Sequence, residues 1–263
     1  MKTSVSNRHV RQNVRKVLLL VSFVLFPITF YYLSPELIIM GAAERTASGS
    51  MVVFALMTLT AIVLGRVYCG WICPGGGLGE ALFPVQSKKA NNRFNWTRWL
   101  IWVPWMTVVV LMTLRAGGIN HINFLYQTAH GVSLTTAGGM QPYIVFYAVL
   151  ALFFVLSLTT GKRGLCHHVC WMAPFMMIGR GIRNVLHLPA LQLRADSSAC
   201  TACNACTAAC PMSLNVHEMV ASQKMENSEC ILCGTCVDTC PKKVIHYNFG
   251  RPRSMESVQT DKR

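Results

Sequence analysis

The sequence predicts an α-helical integral membrane domain of four transmembrane helices, built as two pseudo-repeated hairpins, followed by a small α+β domain wrapped around paired cysteine motifs. Three observations carry that reading. Of the 263 residues, 52% are hydrophobic and 13% charged, too apolar and too poor in charge for an ordinary soluble domain. Lysine and arginine are crowded into alternate connections between four apolar stretches. Between residues 200 and 241 the spacing C-x2-C-x2-C-x3-C-P occurs twice, thirty residues apart.

Residues 1–16 form a basic cytoplasmic arm with Lys2, Arg8, Arg11, Arg15 and Lys16. The membrane domain, residues 17–188, contains apolar stretches over 17–39, 50–68, 99–114 and 142–160. A crossing takes about 20 residues, so three of these suffice as they stand and the third spans with its Trp96 and Ala116 flanks. Pro27, Pro35 and Pro104 lie in or near them and predict kinks, which membrane helices tolerate. Lys and Arg number five before the first stretch, then one, five and one in the connections, and twelve after the fourth. That alternation predicts a multi-pass protein of a prokaryotic inner membrane with both termini in the cytoplasm. The net charge of +14 would also suit nucleic acid, but the charges flank apolar spans, so lipid is the expected partner and nucleic acid is not. A signal peptide ending at Gly41-Ala42-Ala43 is set aside because the first apolar run is too long for a signal core.

The second and fourth stretches each run into a C-x3-C pair, Cys69 with Cys73 in R-V-Y-C-G-W-I-C-P and Cys166 with Cys170 in R-G-L-C-H-H-V-C-W, ninety-seven residues apart. A helix continued through each pair would put two thiols on one face, with Pro74 ending the first helix. The two ends would then bring four thiols to one depth, as a third cluster requires. Redox-active dithiols, a copper or zinc relay, and cysteines that only pack are the competing readings. His167 and His168 stand as ligands, proton acceptors or interface residues, and His121 and His130 as outer-loop residues. The segment 171–188 reads as an amphipathic interfacial helix with its basic residues toward lipid headgroups.

Residues 189–250 form the second domain, and its doubled motif is the bacterial ferredoxin run. A cubane cluster takes four thiolates; three closely spaced cysteines wrap one cluster and the fourth, held by Cys-Pro, reaches its neighbour. Cys200, Cys203, Cys206 and Cys240 are therefore assigned to one 4Fe-4S cluster, and Cys230, Cys233, Cys236 and Cys210 to the other. Two quartets closed by Cys-Pro overshoot a tetrahedral zinc site, and all twelve cysteines fall on the cytoplasmic side or its membrane boundary, where disulfides are disfavoured. Residues 191–194 and 244–249 are the expected flanking strands, and 251–263 a polar tail expected to lack fixed structure.

Four spans, two C-x3-C motifs at inner helix ends and a C-terminal two-cluster ferredoxin domain resemble the NapH-type membrane ferredoxins, the quinol dehydrogenase component associated with periplasmic nitrate reductase, and the wider polyferredoxin-like group. The resemblance runs from Val17 to about Phe249; it departs at Cys170, which is followed by Trp171 instead of proline. It implies a membrane-bound iron-sulfur electron-transfer protein passing electrons between the quinone pool and a redox partner protein, a cytochrome or ferredoxin-type subunit. Cluster potentials span about −700 to +450 mV, so the direction of flow stays open. The alternative is a metal-handling or redox assembly factor for a respiratory enzyme, with Cys69, Cys73, Cys166 and Cys170 as working thiols. A redox-sensing regulator ranks below both because no output domain is visible.

Overall fold

The computed structural model describes residues 3–135 and 139–252. Helix α1 (Thr3–Val24) takes in most of the expected basic arm. Beyond it come α2 (Phe26–Thr29), a 3-10 turn (Tyr31–Leu33) and α3 (Glu36–Ala43). The single span expected over 17–39 is thus broken. Pro27 and Pro35 each begin a new piece, because proline lacks an N–H and crowds the preceding turn. A short strand, β1 (Thr46–Ser48), leads into α4 (Gly49–Leu64), whose N-terminus is capped by the Ser48 hydroxyl accepting from the Met51 N–H at 3.4 Å. At Gly65 the backbone takes a φ of 59°, so α4 stops short of the expected residue 68.

Helices α5 (Val67–Trp71) and α6 (Pro74–Ala81) follow, then α7 (Thr97–Ala116), β2 (His121–Asn123) and α8 (Gln141–Thr159). Among the described residues, α7 and α8 are long and apolar enough to cross a membrane, and α4 is a shorter apolar helix. The described residues thus hold two such helices, one shorter apolar helix and a first apolar stretch broken at its prolines. Strands β1 and β2 pair in parallel, Thr46 opposite His121, and tie the loop before α4 to the loop after α7.

The chain then forms α9 (Gly164–His168) and α10 (Ala173–Val185), and enters the second half through β3 (Ala190–Ala195). Helices α11 (Ala205–Ala209), α12 (Val216–Ala221) and α13 (Thr235–Thr239) precede β4 (Ile245–Gly250). Strands β3 and β4 pair antiparallel from Ala190 opposite Gly250 to Ala195 opposite Ile245, so the expected flanking strands form one hairpin-like ribbon beneath the motif loops. The tail expected over 251–263 lies outside the described residues from 253 onward.

Helix α10 does not present its basic residues to headgroups. Arg180 and Arg183 are 4% and 2% exposed and both pair with Glu226, while Ile182, Val185 and Leu186 face outward. A buried guanidinium needs a counter-charge, and Glu226 in the loop before Cys230 supplies it. The core is continuous: Phe54, Met57 and Met176 belong to one cluster with Leu193, Met212 and Ile231. The cysteine domain is docked on the helices.

Candidate iron–sulfur centres

The two motif loops repeat in backbone detail. Positive φ angles occur at Ala202 and Asn204 after Cys200, and at Leu232 and Gly234 after Cys230. They recur at Ser213 and Lys243, three residues after each Cys-Pro cysteine. Ser213 N–H donates to the Cys210 carbonyl at 3.2 Å, and Lys243 N–H to the Cys240 carbonyl at 3.3 Å. Left-handed residues alternating with helical ones turn successive N–H groups toward one concavity, a geometry that favours an anion.

Each concavity collects one crossed set of thiols. Cys200, Cys203 and Cys206 line a cavity with Cys240, whereas Cys230, Cys233 and Cys236 line another with Cys210. Crossing follows from the turns after α11 and α13, where Cys210 and Cys240 take extended backbone and leave their own loops. Burial raises the Cys210 thiol to about 12, and the nearby Cys233 and Cys230 push the same way. Such a thiol ionises when a metal draws off its charge. Four sulfur donors around one concavity of N–H groups fit an iron–sulfur cubane at each place. The environments differ: Cys233, Cys236 and Cys210 are buried, whereas Cys203 is exposed.

The remaining four cysteines, all buried, also come together. Cys69, Cys166 and Cys170 all lie within electrostatic reach of Cys73, and Cys69 Sγ is 3.8 Å from Met176 Sδ. They are not presented as helical pairs. Cys69 and Cys166 sit in the one-turn helices α5 and α9, while Cys73 and Cys170 follow after the helix has ended. The two copies share their hydrogen bonding: Cys73 N–H donates to the Tyr68 carbonyl and Cys170 N–H to the Leu165 carbonyl, both at 3.0 Å.

Arginine surrounds this group. Arg66, Arg98 and Arg163 are 0%, 1% and 1% exposed. Arg163 donates to the Cys69 carbonyl at 2.7 Å and pairs with Glu80, which Arg15 also grips at 2.7 Å through both oxygens. Arg98 donates to the Cys166 carbonyl at 3.2 Å and pairs with Glu229, which also takes Arg66 at 3.1 Å. Four buried arginines thus face two carboxylates, and Arg66 Nε and Nη2 have no hydrogen-bond partner. Arg66 also lies within electrostatic reach of Cys69, Cys166 and Cys170, so positive charge faces the four thiols.

These arginines are the functional residues that a search for ligands passes over. The signal was in the sequence: Arg66 and Arg163 each stand three residues before the first cysteine of their pair, ninety-seven residues apart like the cysteines. Between the buried thiols and the motif loops there is direct backbone packing. Gly70 lies against the Ile231 carbonyl, which a Cβ would strike, and Trp71 Nε1 donates to the Leu232 carbonyl at 3.2 Å. His167 is buried with Nδ1 3.1 Å from Asn95 Oδ1, and His121 stays exposed on β2, so the structure joins neither to the thiols through a hydrogen bond.

The chain matches the 4Fe-4S dicluster domain family over residues 192–241, the stretch that carries all eight motif cysteines. This is an iron–sulfur protein of the ferredoxin type. A second match, to a 4Fe-4S binding domain family, covers residues 47–93 and takes in Cys69 and Cys73. An uncharacterised protein of Methanocaldococcus jannaschii is 25% identical over 73% of this chain and 71% of its own length. The methylamine utilization ferredoxin-type protein MauN of Methylorubrum extorquens is 28% identical over 59% of this chain and 51% of its own, and that of Methylobacillus flagellatus 26% identical over 65% and 59%. No solved structure matches the chain.

Proposed function

We propose that the protein is a multi-pass inner-membrane electron carrier whose three thiol groups form a line from the membrane part to an exposed cytoplasmic edge. The observation that carries this reading is the order of burial and packing. Cys69, Cys73, Cys166 and Cys170 are buried beneath the apolar helices, and Gly70 between them abuts the Cys230 loop. The Cys210 set is the middle group, and the Cys200 set ends at exposed Cys203. Membrane residence is supported by α7 and α8, whose apolar windows are only 6% and 17% buried, the reverse of a soluble core.

Cubane clusters, when bound, take up and release single electrons. The chain's own work is to hold the thiols in line, to exclude water from the inner group, and to offset its negative charge. Arg66, Arg98 and Arg163 do the last: nearby positive charge stabilises the more negative reduced form and raises its potential. The quinone pool is the membrane-side partner in this reading, and a soluble redox protein meets the Cys203 edge. The assembly-factor reading is less well supported, because a thiol that hands on metal or exchanges disulfides needs access, and all four inner thiols are buried.

Iron and sulfide content with low-temperature EPR tests it. The anaerobically purified protein should hold about twelve iron atoms, falling to about eight in Cys69→Ser combined with Cys166→Ser. About eight in both would remove the inner cluster from the reading.

A further inference from the structure

Two cavities lie on the membrane side of the inner thiols, and they share lining residues. The inner one, about 170 Å³, is apolar, and its floor is made by Pro74, Gly75, Trp171 and Met172. Those are the two residues that follow Cys73 and the two that follow Cys170. A Cβ on Gly75 would lie 3.9 Å from Cys73 Sγ, so the lining comes within van der Waals reach of one inner thiol. The outer cavity, about 420 Å³, carries polar groups such as Gln127, Thr128 and Ser133 from the loops joined by β2. Phe30, Ser34, Glu36 and Val145 line both. Glu36 is the one carboxylate in either lining, and it is the first residue of α3.

From this juxtaposition we infer that the joined cavities are a hydroquinone site, with the ring over the floor beside Cys73 and Cys170 and Glu36 as the group that receives its proton. The inference rests on the electron-carrier reading and locates the exchange with the quinone pool. A lipid-soluble hydroquinone that becomes a quinone gives up two electrons and two protons. The electrons would leave one at a time to the clusters that the inner and motif cysteines would hold, and from there to two equivalents of a soluble one-electron acceptor. The first proton passes from a ring hydroxyl to the Glu36 carboxylate; it and the second leave through the polar outer cavity. Phe153 and Trp171, packed on each other with ring centroids 5.7 Å apart and planes tilted by 45°, give the inner cavity an aromatic edge. Electrons and protons therefore part company at one site, toward opposite faces.

The test uses the full chain with its clusters in nanodiscs of phosphatidylcholine and phosphatidylglycerol. A photoreactive azidoquinone is mapped by mass spectrometry, and cluster reduction by a menaquinol analogue is compared with reduction by dithionite. Labelling is expected on residues lining the inner cavity and should fall about tenfold in Val149→Trp, which fills it. Glu36→Gln is expected to keep its labelling and its reduction by dithionite, but to slow reduction by the quinol about a hundredfold. Labelling elsewhere, or full quinol-driven rates in both variants, overturns the site while the carrier reading stands. If dithionite but not the quinol reduces the wild type, the quinone link fails and the site with it.

Discussion

At the scale of single residues, Arg66 is the sharpest test of what the inner cysteines hold. Its guanidinium is fully buried, half-satisfied, and within reach of three thiols. Arg66→Met leaves Glu229 with Arg98 as its remaining partner and so costs stability whatever the thiols hold. If the thiols hold an anionic cluster, the same change strips its counter-charge. We expect iron content to fall in Arg66→Met, with Arg66→Lys intermediate because it keeps the charge and loses the planar fork; unchanged iron beside a lower thermal midpoint would remove the inner cluster. Gly70 gives another prediction. Its neighbour across the junction is backbone, so Gly70→Ala cannot be relieved by a side-chain swing and should cost about 1–3 kcal/mol. In stopped-flow experiments it should also slow electron passage between the inner thiols and the motif loops, leaving the spectra of the two outer clusters unchanged.

At the scale of elements, α10 is fixed by charge as much as by its apolar face. Burial alone would raise the Glu226 carboxyl, but the hydrogen bond from Arg180 and the charges of Arg180 and Arg183 outweigh it and hold it at about 2. A carboxyl with its folded pKa below the unfolded one stabilises fully above the unfolded value and loses that contribution as pH falls toward 2. Glu226→Gln should therefore lower the thermal midpoint by the same amount from about pH 5.5 to about pH 8, and a penalty that varied across that window would contradict the pairing. Element legibility followed the same division between local and distant causes. The strands expected at 191–194 and 244–249 rest on local patterns, and β3 and β4 form there. What α10 buries was not legible, because Arg180 and Arg183 look like surface charges until Glu226, over forty residues on, is known to face them. Nor was the break in the first apolar stretch: hydropathy registers composition, whereas Pro27 and Pro35 act through backbone geometry.

At the scale of the whole molecule, the exchange of Cys210 and Cys240 makes the two motif loops one unit. Cys210→Ser should deplete the cluster at the Cys230 loop, whereas Cys240→Ser should deplete the one at Cys200, a crossed pattern that EPR of the two variants would separate. Loss confined to the mutated loop's own cluster would refute the crossing. The junction between halves is similarly shared, since Arg11 of α1 pairs with Asp238 and stacks over Tyr247, and Gln12 donates to the Cys233 carbonyl at 3.2 Å. Arg11 and Asp238 are 227 residues apart in the chain. The first helix thus has two docking faces: Arg15 meets Glu80, sixty-five residues on, whereas Arg11 and Gln12 meet partners at the far end of the chain. A chain starved of iron should therefore keep the Arg15 end of this helix seated and loosen only the turn that carries Arg11 and Gln12, which hydrogen exchange would show.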